Sequence, residues 1–215
     1  MKKNVFRPIV LMIAAITLAS LFMGCQANPI ATTGFLSDYS RLQKGSWEDW
    51  GYMNAAELAK YQGFIIEPVN VHFHSYATGT KDYQTGRLSQ QDISELTSYM
   101  HARVSEAIGK SGNSVVYRSG PRVARIRLAI TDINRSSMSS HGPISRTTGR
   151  ALGGATIEAE ILDSSTGDQI AATVEAQKGF RVPLAGVRDW SSAKQAMDTW
   201  GNDFSKRLVD VRRCN

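Results

Sequence analysis

The stretch ATIEAEILDSSTGDQIAATVEAQ, Ala155 to Gln177, decides the fold. Ile157, Ala159 and Ile161 alternate with Glu158 and Glu160, the period of two that marks a strand with one apolar face. Asp163-Ser164-Ser165-Thr166-Gly167-Asp168 interrupts the pattern with residues that favour tight turns, and Gln169 to Gln177 resumes it. Two such runs around one turn predict an antiparallel hairpin.

Upstream, Val123 to Asn134 reads as a longer strand, with Ile126, Leu128 and Ile130 on one side and Arg125, Arg127 and Ala129 on the other. In the simplest register Arg125 and Arg127 lie across from Glu158 and Glu160. This predicts a solvated ladder of ion pairs, each worth about 0.2 to 1 kcal/mol. Val115 to Arg118 and Ile65 to His74 complete the strands, the latter with Pro68 suited to a strand start.

Two helices are legible. Ser89-Gln90-Gln91-Asp92 resembles a capping box, and Ile93, Leu96, Met100, Val104 and Ile108 follow at helical spacing until Gly109 and Gly112. From Ser191 to Arg212 a second stripe comprises Trp190, Met197, Trp200, Phe204, Leu208 and Val211. The order β-α-β-β-β-β-α predicts an α+β domain over residues 63–215, a largely antiparallel sheet of about five strands with two helices on one face and a polar opposite face. Residues 25–62 form an irregular arm whose aromatic residues, Phe35, Tyr39, Trp47, Trp50 and Tyr52, are too many for a solvated linker. It either lies against the domain or offers a partner surface.

Residues 1–24 have the pattern of a secretory signal: Lys2, Lys3 and Arg7, then an apolar run from Ile9 to Met23. That run is short for a spanning helix, which needs about 20 apolar residues, and polar sequence follows at once. Phe22-Met23-Gly24-Cys25 resembles the lipobox of bacterial lipoproteins, in which the cysteine thiol is acylated and becomes the mature N-terminus. The resemblance implies a covalent lipid on Cys25 and no other cofactor. Two acyl chains give stable anchoring at about 0.8 kcal/mol per buried methylene. Gln26 after the cysteine implies, by analogy with lipoprotein sorting, the periplasmic side of the outer membrane. An ordinary cleaved signal with an incidental Cys25 is the alternative.

Removing the signal takes three of the 25 basic residues, leaving 22 against 19 acidic ones, a net +3. Such a balance argues against nucleic acid as a partner, which calls for a concentrated basic patch. With Cys25 acylated, only Cys214 remains, so no internal disulfide is available and packing must hold the domain.

Chemistry-bearing residues are sparse. His72 and His74 project from the same strand face and are the only metal-ligand candidates, but alternating polar residues on an exposed strand give the same pattern. His101 and His141 have no evident companions. No nucleophile motif sits in a strand-to-helix setting, and Gly109-Lys110-Ser111 follows a helix where a phosphate loop should open one. Ser136 to Gly154 is a long loop whose Arg146 and Arg150 could meet an anionic partner, or a plain hairpin connection.

Gly34-Phe35-Leu36-Ser37-Asp38-Tyr39-Ser40-Arg41-Leu42, shortly after the cysteine, resembles the opening of the bacterial lipoproteins called domain of unknown function 3313. The Trp50 to Tyr61 segment, Ile66-Glu67-Pro68-Val69 and the Glu158 to Gly167 hairpin agree with it. The resemblance implies an envelope address and an α+β architecture, and supplies no catalytic residues. The expected function is that of a non-enzymatic binding module, anchored in the membrane by lipid, with an envelope protein as partner. Phe35, Tyr39, Trp47, Trp50, Arg146 and Arg150 are its candidate surface. The alternatives are an envelope hydrolase or metal-dependent enzyme, or a carrier of lipid or peptidoglycan fragments.

Overall fold

The hairpin forms where the alternation places it, and its turn is fastened by Asp163, whose Oδ1 accepts the N–H groups of Ser165 and Thr166 at 2.7 Å each. The computed structural model describes residues 32–45, 49–72, 88–134, 154–178 and 190–213. Their elements are β1 (Gln43–Lys44), β2 (Trp50–Met53), α1 (Ala55–Leu58), β3 (Gly63–Ile66), β4 (Asn70–Val71), α2 (Gln90–Lys110), β5 (Ser114–Val115), β6 (Val123–Asn134), β7 (Gly154–Asp163), β8 (Gln169–Lys178) and α3 (Ser191–Arg213).

The sheet is mixed and has eight strands, in the order β1-β2-β8-β7-β6-β3-β5 with β4 also on β6. This corrects the expectation of about five largely antiparallel strands. Ile65 to His74 is not one strand. Pro68 falls between β3 and β4, because a residue without an N–H interrupts the ladder. Both short strands pair with β6 in parallel, as does β5 with β3. The physical reason is the helix between β4 and β5: a crossover of that length returns the chain in the same direction. At the other edge the sequence conceals a strand, since Trp50–Met53 pairs antiparallel with β8. Gly51 in its middle weakens the local signal.

On one face of the sheet Ile126, Leu128, Ile130, Ile157 and Ile161 meet α2 and α3 in the main core. A register shift between Ile130 and Asp132 inserts one residue, so that Ile133 is also buried despite breaking the alternation. Helix α2 begins with the expected box: the Ser89 hydroxyl accepts from the Asp92 N–H, and the Asp92 carboxylate accepts from the Ser89 N–H. Leu96, Met100 and Ile108 are fully buried along it, each contributing about 1.5 to 3 kcal/mol.

The two long helices run parallel. Lys194 pairs with Glu95 at 2.6 Å, the Tyr99 hydroxyl donates to Asp198 at 2.8 Å, and Arg212 donates to the Ser111 carbonyl at 3.0 Å, so the contacts advance together along both chains. Gly201 faces Arg103 across the helix pair, where a Cβ would make an ordinary contact of 3.4 Å with the Arg103 backbone. With both C-termini at one end, Lys110, Arg212 and Arg213 sit where cations oppose the helix dipoles.

Candidate functional site

The second face of the sheet was expected to be polar and solvated; it is neither open nor uniformly polar. Glu158 and Glu160 are 0% and 1% exposed, which corrects the reading of a surface ladder. In the actual register Arg127 faces Glu160, while Arg125 faces Leu162 and Glu158 faces Ala129. Residues 33–41 lie over this face as a strap whose own Phe35 and Leu36 are buried.

The strap is fastened to the two carboxylates. Glu158 Oε1 accepts the Thr33 N–H at 2.7 Å, and Oε2 accepts the Tyr39 hydroxyl. Glu160 Oε2 accepts the Ser37 N–H at 2.9 Å, the Ser37 hydroxyl at 2.6 Å and the Gln169 amide at 2.9 Å. Its other oxygen receives Arg127, which also stands 3.6 Å from Glu67 and 4.9 Å from the Phe35 ring centre. Buried carboxylates are tolerated only with such partners. Burial, aided by the bond to Glu158, pushes the Tyr39 phenol up to about 12. Gly34 has φ +86°, a conformation that lets the chain turn between Thr33 and Phe35.

Beyond Tyr39 the strap continues on polar contacts. Gln169 Nε2 donates to the Asp38 carbonyl at 3.0 Å, and Arg41 donates to the Gln169 carbonyl at 3.2 Å and to the Tyr52 hydroxyl at 3.1 Å. Most of the Gly34 to Leu42 motif therefore serves attachment to the chain's own sheet. Sequence reasoning singled out Phe35 and Tyr39 but missed Ser37, Glu158, Glu160 and Gln169. The available signal was two acidic residues on a strand next to a segment rich in hydroxyl donors.

Among the other candidates, Trp50 lies half-buried in β2, and His72 is exposed with its ring centre 6.3 Å from that of Phe35 in an edge-to-face arrangement. Cys25, Trp47, His74, Arg146, Arg150 and Cys214 lie outside the described residues. Among the described residues no three His, Cys, Asp or Glu side chains are grouped to hold a metal ion.

The helix-covered face carries a half-open apolar pocket of about 120 Å³ lined by Met100, Val104, Ile157, Trp200, Phe204 and Leu208. Glu175 borders it, and burial raises its carboxyl despite the amide of Gln177 at 3.1 Å. The pocket's volume approaches that of a cavity of about 150 Å³ that accepts one benzene.

The family model for the protein of unknown function DUF3313 matches residues 31–204, from the strap through most of α3. The chain belongs to DUF3313. No curated protein matches it. Among solved structures the chain is similar to the PelC dodecamer from Paraburkholderia phytofirmans, at 11% identity and TM-score 0.40, covering 76% of this chain and 96% of that one. It is also similar to protein XCC0632 from Xanthomonas campestris, at 14% identity and TM-score 0.42, covering 72% and 86%. A minor lipoprotein from Acinetobacter baumannii aligns at 10% identity and TM-score 0.37, covering 71% and 95%. The DUF3313 match thus takes in both the strap and the carboxylates that hold it.

Proposed function

We propose that this DUF3313 chain is a lipid-anchored envelope protein that works by binding, on the periplasmic side of the outer membrane, and that the strap sets its distance from the membrane. The observation that carries the reading is the fastening of Thr33 to Glu158 only eight residues beyond the lipobox cysteine, Cys25. At no more than about 3.5 Å per residue, the intervening chain spans at most about 28 Å. A free arm up to β2 would reach far further. The domain is accordingly a close-held module rather than one that ranges across the compartment.

The test is metabolic labelling with an alkyne fatty acid, followed by membrane fractionation of the wild type and Cys25→Ala. The reading expects label and outer-membrane recovery in the wild type and neither in the variant. Label retained in Cys25→Ala, or wild-type protein free of label, would sink it. Cross-linking in the same cells identifies the partner.

A further inference from the structure

Glu158, Glu160 and Glu175 are the buried carboxylates among the described residues, and the fold treats the third differently. Glu158 and Glu160 receive the donors of the strap, and Glu160 receives Arg127 as well. Glu175 lies opposite Ile157 in the β7–β8 register, which turns it to the helix-covered face. It is 8% exposed, and its hydrogen-bond partner among the described residues is the neutral Gln177 amide at 3.1 Å. One neutral donor falls far short of what a carboxylate withdrawn from water requires.

Glu175 borders the apolar pocket, whose walls include the aromatic side chains of Trp200 and Phe204. Met53, 45% exposed, belongs to the same lining, so the pocket opens beside β2. Trp200 Nε1 is a second polar group left unmatched in this lining, since it is buried with no partner among the described residues. Of the charges that act on Glu175, Asp49 and Asp203 are negative and Arg207 is positive.

Three classes of occupant would meet this border differently. A purely apolar group would fill the lining and leave the carboxylate, the costlier of the two unmatched groups, further stripped of water. An anion would meet Glu175 itself, with Asp49 and Asp203 behind it and one guanidinium in its favour. An organic cation supplies the missing counter-charge, and its apolar body lies against aromatic rings, which attract ammonium groups in their own right. We infer that this pocket binds a small organic cation, an ammonium group on an apolar body of about ring size, with Glu175 as counter-ion and Trp200 and Phe204 as walls.

The inference gives a ligand class to the binding role proposed above, and its test is made in vitro. Full-length protein in detergent is titrated with benzylamine, benzyl alcohol and benzoate, three probes of one size and different charge. The solution is mildly alkaline, to favour the charged form of a carboxyl that burial raises. The readout is the indole N–H resonance of Trp200, one of four tryptophans in the chain. Benzylamine should shift it to saturation, benzyl alcohol should bind about tenfold more weakly, and benzoate should leave it in place. Glu175→Gln should bind benzylamine no better than benzyl alcohol, while Glu175→Asp keeps the preference for the amine. Glu175→Gln should also unfold no earlier than the wild type, because an amide is easier to bury than a charge and its carbonyl can still accept from Gln177. No shift with any probe, equal affinity for all three, or unchanged benzylamine binding by Glu175→Gln would each overturn the proposal. A destabilised Glu175→Gln would mark the carboxyl as structural and overturn it too. Cys25 without label would remove the address and leave this site standing, and a failed titration would do the reverse.

Discussion

On one face of the β6-β7-β8 sheet, two helices lay down a continuous row of aliphatic and indole groups; on the other, a strap of nine residues, 33–41, is held by hydrogen bonds to two carboxylates. The first closure is non-directional and is spread over many side chains. The second is concentrated in a few donor and acceptor atoms whose geometry must be met. Removing one methyl from the helix face loses a little; removing one carboxylate from the strap face leaves several buried donors without partners.

The sharpest break of this comparison is Glu160→Leu. Its expected cost is about 3 kcal/mol, the low end for removing one partner of a buried pair, because Arg127 keeps Glu67 at 3.6 Å. Urea unfolding measures it, and a neutral result would mean that Phe35 and Leu36 hold the strap without polar help. On the helix face, Met100→Ala should cost about 2 kcal/mol or slightly more, at the lower bound for a core truncation because the residue already borders a cavity. Loss of strap protection in hydrogen exchange is expected for Glu160→Leu and not for Met100→Ala.

Tyr39→Phe removes only the hydroxyl that serves Glu158 and should cost about 1.5 kcal/mol. It should also speed amide exchange at Leu36, whose N–H donates to that oxygen at 3.0 Å. A pH series sharpens the point. The Tyr39 phenol is raised from 10.0 to about 12, so its neutral form is the one the fold favours. Its contribution is complete below pH 10 and is lost as pH rises from 10 towards 12. The wild type should therefore lose stability in that range more steeply than Tyr39→Phe. Smallest of all is Arg125→Ala, which releases a pair with Glu67 at 3.5 Å at the surface and should change stability by less than about 1 kcal/mol.

The same contrast explains what the sequence makes legible. Periodicity reports apolar faces, so α2, α3, β6 and the β7–β8 hairpin are readable within a residue or two. It carries no information about whether a polar face is covered. Glu158 and Glu160 alternate with apolar residues as solvated side chains would, and only the partners supplied from residues more than a hundred positions away distinguish the two cases. Parallel pairing was hidden for a related reason: strand direction is set by the connection, and Pro68 splits one apparent strand into β3 and β4. The strap motif was visible as a string of aromatic and hydroxyl residues. Its target was not, because hydrogen-bond partners distant in sequence leave no local pattern.

Pinning the strap also decides how the domain bears load. In the lipid-anchored reading proposed above, a pull through Cys25 would enter at Thr33 and meet the Glu158 and Glu160 attachments before it reached β2. The four paired residues that tie β2 to β8 are thus shielded from tension until the carboxylates let go. The two buried acids work as a strain relief, as a clamp does where a cable enters its housing.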